Sequence, residues 1–216
     1  MSYESYKARI GSYGGNAQES MSNITKHSQR QMILNSPTRK TVRVNDNVDA
    51  QYCIVSDIKT YLERSFLFLP DFIINTGDYI HYKDYTYLVT DSKDSDEFPE
   101  GITKLCNAIF PLSGTVTKIQ TGINEYDEPT YSYTDSEPTL LPCVAEYTIH
   151  SDKTIEAINL PEGQILITIP YTEHEQIADG EEFTVYNTKY QIIGVDFTKS
   201  NIANKVGIIK IKGKKV

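Results

Sequence analysis

The residues with the most obvious capacity for chemistry form the acidic run Asp91-Ser-Lys-Asp-Ser-Asp-Glu97. Three of its carboxylates, Asp91, Asp94 and Asp96, could supply the oxygen ligands that a hard cation such as Ca²⁺ prefers. The run lacks the glycine and the correctly spaced bidentate glutamate of an EF-hand loop. A solvated loop tip explains it better, so we predict no metal site here. The acidic residues between 173 and 182 are interpreted in the same way.

The cysteines and histidines do not indicate a nucleophile or a metal site. No CxxC pair occurs, the histidines share no metal-ligand spacing, and no cysteine lies near a histidine in the sequence. No GxSxG, HExxH, P-loop or GxGxxG motif is present. We therefore predict buried free thiols, no cofactor and no enzyme activity. The residues concerned are Cys53, Cys106, Cys143, His27, His81, His150 and His174.

Charge is distributed unevenly along the chain. The 216 residues carry a net charge of −8, yet residues 1–44 contain seven Lys or Arg and only two Glu. A basic leader on an acidic body suits docking onto an acidic neighbour, although flexible leaders are often basic without such a role. The acidic body argues against DNA binding. No apolar run reaches the ~18 residues of a membrane span, and we expect a protein made in the cytoplasm.

A strand phrase occurs twice, about a hundred residues apart, and predicts two β-domains of similar plan. Each copy opens on Gly and an acidic residue, forms a tyrosine-containing hairpin, and is preceded by an aliphatic-Pro pair. We expect the first turn to be Lys83-Asp84 and the second to be one residue longer, Asn187-Thr188-Lys189. The alternative is that any two hairpins look alike, since strands share residue types. The two copies are Gly77–Asp91 and Gly180–Asp196.

The N-terminal region is predicted to be a glycine-containing arm followed by one helix over residues 17–34, which ends at Asn35-Ser36-Pro37. The helix has only a weak apolar stripe, so we expect it to gain little from packing on its own body. It would then pack against other chains, or remain a half-exposed helix. On the first interpretation, deletion of residues 1–34 should leave the body folded and abolish assembly. The stripe comprises Met21, Ile24, Ser28 and Met32.

Beyond residue 37 the hydrophobic period is two, with turn signals between short runs, which predicts a mainly all-β chain of small barrels or sandwiches. We predict a first β-domain over 38–114, a protruding tyrosine-rich hairpin or linker over 115–142, and a second β-domain over 143–216. Tyrosine and arginine favour contact surfaces. The candidate partner contacts are Tyr6, Arg9, Lys26, Arg30, Tyr126, Tyr131 and Tyr133.

Residues 3–110 resemble the head-closure (stopper, head-tail connector) proteins of tailed phages that infect Gram-positive bacteria. The resemblance rests on the order and spacing of several short segments rather than on one motif. The sequence departs from that family after Asn107, where Ala108-Ile109-Phe110 replaces an expected aromatic strand. The segments are Tyr6–Arg9 with Gly14-Gly15, Asn35-Ser36-Pro37, Tyr52–Val55, Gly77-Asp78-Tyr79, Tyr85–Asp91, Gly101-Ile102 and Leu105-Cys106-Asn107.

The resemblance implies a virion protein of the phage neck. Such subunits form a homo-oligomeric ring of six or twelve copies that joins the portal or adaptor protein to the tail terminator or another tail protein. DNA passes through the lumen without sequence-specific binding, and a loop closes the channel until ejection. Candidate gates are the 122–138 protrusion and the acidic loop 91–100, with Asp91, Asp94, Asp96 and Glu97.

A rival function is a tail or baseplate module that binds a host receptor or another tail component through its tyrosine-rich loop. A neck protein should assemble with the portal–adaptor complex, whereas a receptor binder should bind cells or glycans on its own.

Overall fold

The computed structural model describes residues 16–58, 62–93, 95–114, 116–123, 126, 129–135, 137–150 and 157–216. The fold is mostly β, as predicted, with one helix, α1 (Ala17–Asn35), in the described residues. No helix in the described residues is both long enough and apolar enough to cross a membrane. The strands of the first sheet are β1 (Arg39–Val44), β2 (Gln51–Asp57), β3 (Glu63–Phe68), β4 (Tyr79–Tyr82), β5 (Tyr85–Lys93) and β6 (Glu100–Leu105).

The remaining strands form a second large sheet and two small ribbons. The large sheet contains β7 (Ala108–Leu112), β10 (Thr139–Glu146), β13 (Gln164–Pro170), β14 (Glu182–Val185), β15 (Thr188–Asp196), β16 (Ser200–Asn201) and β17 (Val206–Lys215). The ribbons pair β8 (Val116–Ile123) with β9 (Pro129–Asp135), and β11 (Thr148–His150) with β12 (Ala157–Asn159). The hairpin β8–β9 lies within the range predicted as a protruding hairpin or linker.

The first sheet is a closed barrel with the strand order β1-β2-β3-β6-β5-β4. It closes where β1 pairs with β4, with Val44 opposite Ile80. The Asn45 side chain extends this closure, because it accepts from the Tyr79 backbone N–H and donates to Asp78, both within 2.9 Å. The barrel core consists of Val42, Val44, Cys53, Phe66, Phe68, Ile74, Ile80, Tyr82, Tyr87 and Val89.

The second sheet has the order β7-β10-β13-β17-β15-β14 and is not closed by backbone pairing between its end strands. Side chains join the two ends instead. The rings of Phe110 on β7 and Phe183 on β14 lie 5.1 Å apart, and the Tyr186 hydroxyl donates to the carbonyl of Asn107 at 3.1 Å. Fourteen buried residues form its core, including Ile165, Ile167, Ile169, Ile209 and Ile211.

Both large sheets share one plan. When β16, which lies off the main path of the second sheet, is left out, each path visits its own six strands in the order first, second, third, sixth, fifth, fourth. The hydrogen bonds repeat as well. The Gly77 N–H donates to Val89 and the Gly180 N–H to Ile192, both at 2.8 Å. The fifth strand carries a register shift at the same place in each copy, directly after Val89 and Ile192. The duplicated strand phrase therefore corresponds to a duplicated structure.

The prediction that the second hairpin turn is longer was wrong. Both turns contain two residues, Lys83-Asp84 between β4 and β5 and Tyr186-Asn187 between β14 and β15. Tyr186 and Asn187 both have positive φ, 51° and 58°, as a type I′ turn requires. Matching tyrosines by identity misaligned the copies, because the buried Tyr190 corresponds to Tyr87.

The helix α1 packs on the first unit rather than standing apart from it. Asn16 caps its first turn by accepting from the Glu19 N–H at 2.9 Å. Ile33 is fully buried and Gln29 is 4% exposed. Deletion of residues 1–34 would therefore remove a buried side chain, so we expect some loss of stability, and folding of the body without these residues stays a prediction.

The predicted boundary at residue 114 also needs correction. Residue contacts divide the chain into a first unit, up to Cys106 with Lys199–Ile208, and a second unit, Asn107–Thr198 with Ile209–Val216. The segment Ile102–Phe110 is broken at Cys106-Asn107 into β6 and β7. β7 pairs with β10 and so belongs to the second sheet.

Candidate assembly surfaces

Two of the three free cysteines are buried as predicted and are poorly suited to nucleophilic chemistry, whereas Cys106 is half-buried. Cys53 and Cys143 are buried and free, and burial raises the pKa of each thiol to about 12. A thiol with such a pKa is almost entirely protonated at neutral pH and is a weak nucleophile. Within the described ranges, no group of three His, Cys, Asp or Glu side chains could hold a metal ion.

The candidate contact and gate residues fall into four groups. Tyr6, Arg9 and Asp94 lie outside the described residues. Tyr131 and Tyr133 lie on β9, where the description covers the strand but not the side chains, and Tyr126, near the turn of that hairpin, is 83% exposed. Asp91 is exposed at the end of β5. The remaining four are brought together by the structure: Lys26, Arg30, Asp96 and Glu97.

These four residues belong to a contact between α1 and two loops of the first unit, which we name the helix clasp. The Lys26 ammonium lies 2.6 Å from Asp71 and 3.6 Å from Asp96. The Ser22 hydroxyl donates to Glu97 at 2.6 Å, and Arg30 lies 3.8 Å from Asp71. The helix clasp thus joins residues predicted as partner contacts to residues predicted as a gate, and both roles stay predictions.

Local hydrogen bonds shift two pKa values in the helix clasp. The bond from Ser22 holds the pKa of Glu97 below its usual value, and the neighbouring Lys26 charge lowers it further. The bond to Asp71 raises the pKa of Lys26 above its usual value. Near the clasp, burial raises the pKa of Glu100, but bonds from Lys93 and Ser65 outweigh burial and keep it low. Lys26, Glu97 and Glu100 are therefore all charged at neutral pH.

We expect acid to weaken the attachment of α1. A lowered carboxyl pKa stabilises the folded state above the unfolded pKa, and this contribution is lost as the pH falls through the lower, folded-state pKa. Because the ordinary pKa of Glu is about 4.3, the protection factors of the α1 amides should fall below about pH 4. Hydrogen exchange corrected for intrinsic rates measures this. The Glu97→Gln variant should lose part of the pH dependence, and an unchanged profile would contradict this role of Glu97.

The predicted apolar stripe of α1 faces solvent instead of the body. Met21 is 72% exposed, Ile24 48% and Met32 49%. The packed face is formed instead by Ser22, Lys26, Gln29 and Ile33, of which only Ile33 is apolar. Hydrophobic periodicity could identify the stripe but not the packed face, since that face is held mainly by polar contacts.

A second exposed apolar group lies on the outer face of β7 and β10, and the sequence analysis missed it. Ile109 and Leu140 are both exposed. Ile109 lies opposite Pro142, and Leu140 lies opposite Pro111, so the four apolar residues are neighbours on one face. The alternation of side chains between the two faces in Ala108–Leu112 could have indicated this exposed apolar group. We did not interpret it in this way, because we assigned the segment to the first β-domain.

The hairpin β8–β9 leaves the second sheet between β7 and β10, and its base is held by paired hydrogen bonds. The Ser113 N–H donates to the Gln176 side chain at 2.7 Å, and the Gln176 amide donates back to the Ser113 hydroxyl at 2.9 Å. The His174 ring lies 3.0 Å from the Ser113 carbonyl. This start of the hairpin is therefore fixed to the loop after β13.

Comparison with known proteins identifies relatives of phage origin. Residues 108–214 match the family model of the YomX C-terminal domain, a range that begins at the first residue of β7. The SPbeta prophage-derived uncharacterized protein YomX of Bacillus subtilis (strain 168) is 34% identical over 145 residues, which cover 66% of this chain and 66% of that protein. No solved structure matches. The chain is thus related to a prophage-derived protein, and its second sheet lies in a region similar to the YomX C-terminal domain.

Proposed function

We propose that the chain is a structural virion protein of the phage neck. In this proposal its copies form a ring that joins the portal or adaptor of the head to the tail and closes the DNA channel until ejection. The observation that carries the proposal is the orientation of α1, which is fixed to the first unit by one face and presents an apolar face to solvent.

An outward apolar stripe on a fixed helix favours contact with another subunit. Exposed apolar residues are common singly, but a row on one helix face marks a binding surface more often. The helix clasp sets the direction of this face, because Lys26 and Ser22 hold the opposite side of the helix. The relation to a prophage-derived protein supports a partner among virion components.

The charge of the chain suits a channel through which DNA passes. A net charge of −8 repels phosphate, so DNA would slide past a lumen lined by such subunits without sequence-specific binding. Of the two candidate gates, we favour the hairpin β8–β9. The other candidate, the acidic loop 91–100, has Asp96 and Glu97 engaged by α1, which restricts its movement.

Substitution of the apolar stripe tests the proposal. The triple variant Met21→Ser, Ile24→Ser, Met32→Ser should lose at least about 100-fold in affinity for heads that lack the protein, because three buried apolar contacts would be lost. Binding of the purified protein to such heads by sedimentation measures this. The first unit should stay folded, since these side chains are exposed.

The matched control places serine at three exposed polar positions of the same helix, Gln18, His27 and Gln31, and so reproduces the loss of helix propensity. This control should bind heads like the wild type. Equal binding by the stripe variant would contradict the proposal. Binding of the isolated protein to host cells or their glycans, without binding to heads, would favour the alternative tail or baseplate function.

A further inference from the structure

The strand β17 carries a row of three lysines on its outer face. Lys210, Lys212 and Lys214 alternate with the buried residues Ile209, Ile211 and Gly213. Since successive side chains of a strand point to opposite faces and the rise is about 3.3 Å per residue, neighbouring lysines of the row lie roughly 7 Å apart. We name these three residues the lysine row.

The neighbouring strand β15 places only one carboxylate opposite the three lysines of the lysine row. Lys210 lies opposite Asp196, but Lys212 lies opposite Gly194 and Lys214 opposite Gln191. No ion pair involves Lys212 or Lys214 in the part of the chain that the structure describes. A side chain placed at Gly194 would meet nothing within 4 Å, so the surface beside Lys212 is open.

Three carboxylates of the same unit have the complementary charge. Glu175, Asp179 and Glu181 lie in the connection between β13 and β14, and all three are exposed. They form no ion pair within the described residues, in contrast to the next carboxylate, Glu182, which lies 2.5 Å from Lys189. We name these three residues the acidic loop patch. No ion pair joins the two sets of charges in the residues that the structure describes.

Like charges that lie near one another raise the free energy of the isolated subunit, and of the three lysines only Lys210 has a carboxylate, Asp196, opposite it. A partner with the opposite charge would relieve this cost in both patches at once. Nucleic acid is a poor match for the lysine row, because three lysines on an acidic chain make few phosphate contacts, whereas a second copy of this chain supplies three exposed carboxylates from one connection.

We infer that the lysine row of one copy binds the acidic loop patch of a second copy of the chain. The two patches differ, so the contact is head-to-tail, and repetition of such a contact gives a closed ring or an open filament. This inference rests on the proposed function only in that a neck ring needs a contact between neighbouring copies, and it can be tested on the purified protein alone.

Reversal of charge on each patch tests the inference. One variant carries Lys210→Glu, Lys212→Glu and Lys214→Glu, and the other carries Glu175→Lys, Asp179→Lys and Glu181→Lys. Each variant alone should self-associate at least about 100-fold more weakly than the wild type, because like charges would then face each other. An equimolar mixture should assemble again, since both contacts between unlike variants join opposite charges.

Sedimentation velocity at low and high salt provides the measurement. Wild-type self-association should weaken as salt rises to 1 M, where the screening length falls to about 3 Å. A control with Lys40→Glu, Lys83→Glu and Lys199→Glu has the same net charge as the lysine-row variant and changes exposed lysines elsewhere, so it should assemble normally. If a triple variant does not fold, the single changes Lys212→Glu and Asp179→Lys replace the two sets.

A monomeric wild type, a lysine-row variant that assembles normally, or a mixture that fails to assemble would each overturn the inference. Failure of the proposed neck function would look different, because the charge-swapped mixture would then assemble while the wild type would not bind heads.

Discussion

Replacing Gly77 by alanine is expected to destabilise the first unit by roughly 4 kcal/mol, near the upper end for single substitutions. A Cβ atom at this position would lie 2.1 Å from the carbonyl oxygen of Gly207, which is backbone and cannot rotate away. Gly77 also has φ of 97°, a conformation that side chains disfavour. The close approach of two backbone segments therefore adds to the conformational cost.

The internal duplication supplies a matched control for this substitution. Gly180 occupies the corresponding position of the second unit with φ of 95°, but a Cβ there would meet nothing within 4 Å. Gly180→Ala should therefore show only the conformational cost of about 1–2 kcal/mol. Native-state hydrogen exchange read by peptide mass spectrometry reports each unit separately. Equal losses of stability in the two variants would show that the contact with Gly207 contributes nothing.

Replacing Phe183 by alanine should destabilise the second unit by about 3–5 kcal/mol, the usual range for removal of a buried phenylalanine. Phe183 contacts Phe110 across the gap between β14 and β7, and it stacks on Tyr190 at a centroid distance of 5.6 Å. In the first unit, backbone pairing of β1 with β4 closes the corresponding gap. The second sheet depends on side chains at this place, so exchange in β14 and β7 should increase most.

A compensating substitution makes this prediction more specific. A Cβ at Gly213 would lie 2.7 Å from the Phe183 ring, so Gly213→Ala alone should cost about 1–3 kcal/mol through overpacking. With Phe183→Ala present, the same methyl group enters the space left by the ring. The double variant should lose less stability than the two single losses added together. Full additivity of the two losses would contradict direct packing of Phe183 on Gly213.

Local sequence signals predicted the elements better than their pairing. The first hairpin turn, Lys83-Asp84, was predicted correctly, because the tyrosines on either side of it end β4 and begin β5. The second hairpin was assigned a turn that begins one residue late. Tyr186 lies in that turn with positive φ, a conformation rare for a bulky residue, and its hydroxyl has a partner in Asn107. Such a long-range hydrogen bond leaves no trace in local sequence.

The boundary between the units could not be predicted, because in the sequence Asn107 looks like a residue within one continuous strand. It lies between two apolar strands, so Ile102–Phe110 looks continuous in the sequence. In the structure its side chain accepts from the Ala145 N–H at 2.8 Å and donates to the Ala145 carbonyl at 2.9 Å. These contacts hold Asn107 to the second unit and separate β6 from β7.

The candidate surfaces were predicted only in part. The stripe of α1 was found from its spacing, yet its exposure was not, because the face that packs is polar. The arrangement of the lysines near the C-terminus as a row depends on β17 extending to Lys215. The residues of the acidic loop patch were predicted to be solvated surface. Their proposed role in binding a second copy of the chain depends on a contact between chains, which the sequence of one chain does not show.

The central claim is that this chain serves as a ring-forming link between phage head and tail. Native mass measurement of the purified protein, alone and mixed with portal or portal–adaptor complex, tests it most directly. The account predicts one defined ring mass that shifts by the mass of the portal assembly on mixing. A protein that stays monomeric and separate from the portal complex at every concentration would contradict it.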